Sequence, residues 1–133
     1  MPDPLPITLL SPPDMFRGQT YEHAAVVGDF VFCAGQVSRN AQGETVAPND
    51  TAGQTGPLYA NVRRVLEFAG CTPDDVVKVT TYLVDPAADT AIVLAAHNKF
   101  FAGHRPPHTL VGVTGLARPD MRIEVEVIAR RRS

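Results

Sequence analysis

The sequence predicts a two-layer α+β domain in which two helices cover one face of a mixed β-sheet of about six strands. Three observations carry that reading. β-prone and helical runs follow one another in the order ββαβαββ. Each helical run has a single apolar stripe, so both helices must lie against a common surface. The last run alternates apolar and charged residues and therefore offers that surface on one side.

The first 20 residues read as a proline-rich lead-in, since Pro2, Pro4 and Pro6 oppose a helix. Glu22 to Val27 and Phe30 to Val37 are β-prone and joined by Gly28-Asp29, a hairpin signal. Residues 38–49, with Asn40, Gly43, Pro48 and Asn49, have turn formers and no apolar period, which predicts a surface loop. From about Asp50, the residues Leu58, Val62, Val65, Leu66 and Ala69 form one helical stripe, capped by Asp50 or Thr51 and ended by Gly70.

Val76 to Val84 is rich in β-branched residues and predicts a strand with Val77, Val79 and Leu83 on one face and Val76, Tyr82 and Val84 on the other. A second helix is expected from about Asp89 to Phe101, burying Ile92, Val93, Ala96 and Phe100 and stopping before Gly103. Residues 108–114 and 121–130 close the sheet. In the last of these, Ile123, Val125, Val127 and Ala129 point one way and Arg122, Glu124 and Glu126 the other. Apolar residues on both faces of the strand at 76–84 point to burial by self-association.

A length of 133 residues, 44% of them hydrophobic and 20% charged, suits one globular domain spanning residues 1–133. A net charge of −2 disfavours nucleic acid as a partner, and Arg130-Arg131-Arg132 reads as a solvated basic tail. No apolar run approaches bilayer length and no signal-peptide pattern opens the chain, so a soluble cytoplasmic protein with no membrane partner is expected. Cys33 and Cys71 make no disulfide framework; they read as buried side chains, with a nucleophilic role for Cys33 as the sharper alternative. His97, His104 and His108 mix helix and loop positions, and no metal is expected there.

Several segments, in order, resemble one family. They are Gly28 with Ala34-Gly35-Gln36-Val37; Asn61-Val62 with Leu66 and Ala69-Gly70; Val77 to Asp85; Asn98-Lys99-Phe100-Phe101; and Arg122 to Ala129. Together, from about Tyr21 to Arg131, they resemble the Rid family, also called the YjgF family. The resemblance implies a chorismate-mutase-like fold and a homotrimer with small-molecule clefts between subunits. It also implies hydrolysis of enamines or imines to a 2-keto acid and ammonia without metal or organic cofactor.

That chemistry calls for a cation to hold the substrate carboxylate and an acid/base group for water. By resemblance Glu124 falls at the family's catalytic glutamate, Tyr21 at a cleft tyrosine and Gly35 at the glycine of the cleft wall. His108 falls where the family has its carboxylate-binding arginine, so the chain looks like a branch lacking that residue. Leu110 and Leu94 stand where deaminases often have cysteine and asparagine. Imidazole offers fewer donors than guanidinium and is mostly neutral at pH 7, so His108 marks altered specificity. Arg105 or Arg118 would be the substitutes for the lost cation. The expected function is therefore a deaminase-like hydrolase with changed specificity, acting through Glu124 and His108. A non-catalytic binding trimer is the alternative, and RNA cleavage is the least favoured reading.

Overall fold

The computed structural model describes residues 2–132. The elements are β1 (Ile7–Leu10), β2 (Ala24–Val27), β3 (Phe30–Cys33), α1 (Thr51–Phe68), β4 (Val76–Leu83), α2 (Pro86–Phe101), β5 (His108–Gly112) and β6 (Ile123–Arg130). They build a 6-stranded sheet in the order β1-β2-β3-β6-β4-β5. Every neighbouring pair is antiparallel except β4 with β5, the two strands that α2 connects. No helix of the described residues is long and apolar enough to cross a membrane.

Local chemistry explains the boundaries. Gly28 takes a positive φ of 58° as the first central residue of the two-residue β2–β3 hairpin, a position that favours glycine. The Asp50 side chain accepts from the Gly53 N–H at 3.0 Å and caps α1. Gly70, at φ 86°, ends it, with the Cys71 N–H returning to the Leu66 carbonyl at 2.8 Å. Asp85 caps α2 through the Ala88 N–H, and Pro86 sits in the first turn, where its missing donor costs nothing.

Both helices lie on one sheet face, over Ile123, Val125, Val127 and Ala129 of β6, none more than 2% exposed. Fully burying a side chain of this size contributes roughly 1.5–3 kcal/mol. From α1, Leu58, Val62, Val65, Leu66 and Ala69 enter this core as the stripe predicts. Gln54, fully buried, ties α1 to the chain before β6. It donates to the carbonyls of Ala47 and Asp120 and accepts from the Arg122 N–H at 2.8 Å.

The structure corrects the sequence expectations in five places. The lead-in holds β1, paired with β2 from Ile7↔Val27 to Leu10↔Ala24, which supplies the sixth strand. Prolines flank that run without interrupting it, and an edge strand needs only one side of its backbone paired. In β4, Val76 is buried and Val77 is 41% exposed, the reverse of the expected faces, because an irregularity between Val76 and Lys78 shifts the register. On α2, Ile92 is 40% exposed, while Val93, His97, Phe100 and Phe101 form the buried side. That helix begins three residues early, at Pro86, and β3 and β5 stop short of their expected ends at Cys33 and Gly112. Finally, the loop at 38–49 is partly internal: Ser38 and Gly43 are buried, and Ser38 Oγ donates to the Val46 carbonyl at 2.7 Å.

Candidate functional site

Beyond the end of β3 the chain leaves the sheet through Ala34-Gly35-Gln36 and encloses a cavity of about 210 Å³. Gln36 and Val125 exchange backbone hydrogen bonds of 2.8 and 3.0 Å, which pins this segment beside β6. Asn61 of α1 donates from Nδ2 to the carbonyls of Val37 and Arg39, both at 3.0 Å, and holds the next residues against the helix. The walls include Phe16, Tyr21, His23, Gly35, Gln36 and Arg39, with Asp14 and Arg64 beside them.

Glu124 faces away from the helices, as the alternation along β6 requires. Its carboxyl packs so closely on Gly35 that a Cβ there would collide with it. Glycine at 35 is therefore a requirement of space. Burial raises the Glu124 pKa above its ordinary value, the nearby Glu126 adds to the rise, and Arg39 works against it. A carboxyl shifted toward neutrality is a better acid/base group near pH 7 than an ordinary glutamate.

His23, buried, is fixed from both sides. Its Nε2 lies 2.7 Å from the Phe16 carbonyl and its Nδ1 2.9 Å from Gln36 Nε2. A carbonyl only accepts and an amide NH₂ only donates, so Nε2 donates to Phe16 and Nδ1 accepts from Gln36. Tyr21 stands edge-on to it with ring centroids 6.1 Å apart and remains 44% exposed at the cavity wall. Arg64 is engaged by Asp14 at 2.5 Å. Arg39 is different: its guanidinium lies 4.8 Å from the Phe16 ring centroid, and its Nε is buried without an acceptor.

His108 lies elsewhere. It opens β5 opposite Val79, and its ring faces the helix layer, stacked on His97 of α2 at 4.2 Å with 7° between planes. His108 Nε2 is 2.8 Å from the Thr81 hydroxyl. Burial, with a smaller effect of Lys78, lowers its pKa, and burial with His108 lowers that of His97 to about 4. Both imidazoles are neutral at pH 7. Tyr82, the residue opposite Glu124, points to the open face and donates to Glu126, whereas Thr81 points to the helices. Within one chain, Glu124 and His108 thus sit on opposite faces of the sheet.

Leu110 shares the helix-side face with His108 and packs against the core, while Leu94 is 39% exposed on α2. Arg105 and Arg118 are exposed in the segments flanking β5, and neither lines the cavity. Gly35 is therefore brought against Glu124 and shares the cavity wall with Tyr21, while within one chain His108, Leu110, Leu94 and Arg105 lie elsewhere. Cys33 is buried, and burial together with Cys71 pushes its thiol up to about 12, which leaves no thiolate for nucleophilic chemistry. Sequence reasoning did not single out Arg39, His23 or Phe16. Arg39 sits in a stretch read as solvated loop, and only the fold shows that its head group points inward.

The sequence profile of the family described as endoribonuclease L-PSP matches residues 16–131. A RutC family protein of Pyrococcus abyssi is 36% identical over 109 residues, covering 82% of this chain and 84% of the relative. A 2-iminobutanoate/2-iminopropanoate deaminase of Escherichia coli K12 is 34% identical over 115 residues, covering 84% and 88%. The crystal structure of yeast Mmf1 superposes with a TM-score of 0.88 at 25% identity, over 96% of this chain and 100% of the other. The two-helix, six-stranded architecture is thus the chorismate-mutase-like fold of these neighbours. By sequence and by fold, the chain belongs to the endoribonuclease L-PSP family, the group also called Rid or YjgF.

Proposed function

We propose that this protein is a cytoplasmic hydrolytic deaminase of small enamines or imines, with a specificity altered by His108. The observation that supports this reading best is the half-buried Glu124 carboxyl, pressed on Gly35 of the cavity wall and shifted toward neutrality. In this reading, Glu124 takes a proton as water adds to the imine carbon and returns it to the nitrogen. The same carboxylate then takes the proton of the new hydroxyl and passes it to the nitrogen as the C–N bond breaks, giving a carbonyl product and ammonia. Relatives with deaminase names agree with this chemistry.

The working unit proposed is a homotrimer whose clefts lie between subunits. An apolar open face supports it: Phe30 and Phe32 of β3 are each 46% exposed, and Ile7 and Leu9 extend the same cross-strand rows. Monomers rarely expose such a surface. His108, held by Thr81 and His97, withdraws the permanent cation that the family's arginine would provide at that position. That same feature favours a second reading, a ligand-binding trimer without turnover. RNA cleavage has less support, since a net charge of −2 gives little grip on a phosphate backbone.

The test is release of ammonia from imines generated by an amino-acid oxidase, with sedimentation to record the assembly. Glu124→Gln is expected to lower the rate by about 10²- to 10⁴-fold. If correctly assembled protein hydrolyses no imine yet is stabilised by 2-oxo acids, the ligand-binding reading replaces this one.

A further inference from the structure

Arg39 combines three features that no other cation at the cavity shares. Its guanidinium lies 4.8 Å from the Phe16 ring centroid. Its Nε is buried without an acceptor, and none of its guanidinium nitrogens meets a hydrogen-bond acceptor or ion-pair partner among the described residues. A buried donor of this kind is costly unless something fills its valence. Arg64, the other arginine in the wall, is already neutralised by Asp14. The charge left over in the cavity is therefore that of Arg39.

Its backbone is held firmly, which suits recognition. Asn61 Nδ2 grips the Arg39 carbonyl at 3.0 Å, and Arg39 bridges to Thr45 across the loop. With Nε buried and the guanidinium lying over Phe16, the terminal Nη1 and Nη2, which are not among the buried unpartnered atoms, are the N–H groups left for a two-oxygen acceptor. Glu124 lies beyond ion-pair reach, since no contact within 4.0 Å joins it to Arg39.

We propose that Arg39 is the carboxylate-binding, specificity-determining residue of this cleft, and that it takes over the role left vacant at position 108. The proposal rests on the deaminase reading for the reaction, though not for the binding. It places an α-imino acid with its carboxylate on Arg39 and its C=N carbon toward Glu124. The anionic end then lies beside Phe16 and the segment after β3, on the Gly35 side of the sheet, and not at the β5 edge.

The experiment compares wild-type protein with Arg39→Gln and Arg39→Lys, with Arg105→Gln and Arg118→Gln as competitors for the same role. Calorimetric binding of 2-oxobutanoate and of its uncharged methyl ester is measured alongside kinetics on the oxidase-generated imine of 2-aminobutyrate. Loss of a charge-assisted pair should raise Kd for 2-oxobutanoate roughly 10- to 100-fold in Arg39→Gln, with partial recovery in Arg39→Lys. KM is expected to rise by a similar factor while kcat changes far less, and the preference for acid over ester should vanish. Because Arg39 opposes the rise of the Glu124 pKa, the acid limb of the pH–rate profile should also move upward in Arg39→Gln.

Unchanged 2-oxobutanoate binding in Arg39→Gln overturns the inference, as does loss confined to Arg105→Gln or Arg118→Gln. Wild-type protein that binds 2-oxobutanoate through Arg39 yet releases no ammonia keeps the inference and sinks the deaminase reading. Turnover unaffected by Arg39→Gln does the opposite. Wild-type protein that neither binds nor turns over defeats both.

Discussion

The cavity beyond β3 and the histidine pair between α2 and β5 form an instructive contrast. His108 stands where the resemblance leads one to expect an arginine, yet its ring is engaged inside the chain by Thr81 and His97. Arg39 occupies a position no motif marks, yet among the described residues its guanidinium meets only the Phe16 ring and no hydrogen-bond acceptor or carboxylate. The His97 Nδ1 beside His108 is, like Arg39 Nε, buried without a partner, but Arg39 lines the cavity beyond β3 and His97 does not. An unmet valence facing a cavity is the better pointer to a ligand, because satisfied groups gain little from binding one.

The contrast yields predictions in order of size. After Glu124→Gln, Gly35→Ala should do most damage, since its Cβ would force the Glu124 side chain to shift. Imine hydrolysis is expected to fall about 10- to 100-fold, with roughly 1–3 kcal/mol lost from stability in urea unfolding. Activity equal to wild type would show that Glu124 is free to move and would weaken the case for a preorganised site.

Next, His108→Ala and Arg39→Gln should separate stability from binding. His108→Ala removes a ring stack and a hydrogen bond and is expected to cost about 1–2 kcal/mol. Arg39→Gln removes a buried donor that has no partner and should leave stability within about 0.5 kcal/mol. Denaturant midpoints check both. A large loss for Arg39→Gln with none for His108→Ala would reverse the assignment of the two regions.

A further effect concerns pH. The folded state holds His97 near a pKa of about 4, below the ordinary 6.5, so the unfolded chain binds the extra proton between those values. Stability is therefore complete above about pH 6.5 and declines as pH falls toward 4, by roughly 1–2 kcal/mol after allowance for relaxation. In His97→Phe this decline should shrink, as thermal midpoints at pH 7.5 and 5 will show. An unchanged decline would place the acid sensitivity on other groups.

The sequence was most legible where periodicity speaks. The stripe of Leu58, Val62, Val65 and Leu66 and the alternation of Ile123, Val125 and Val127 both lead directly to the core. It was least legible where one local event resets the register, as in β4, or where pairing makes a strand of an unpromising run, as in β1. Ile92 misled for a similar reason: four apolar neighbours around position 92 leave the buried side of α2 undecided until it docks.

What the sequence determined by itself was the layering, because it depends on spacing along one chain, and, through resemblance, the family with Glu124 and Gly35 as its site residues. What only the tertiary structure decided was which charges remain unpaired. Whether a polar group is satisfied depends on partners distant in sequence: Phe16 beneath Arg39, Asp14 on Arg64, and Thr81 with His97 around His108. Folding assigns those partners, and of the two arginines at the cavity it leaves Arg39 without an acceptor among the described residues.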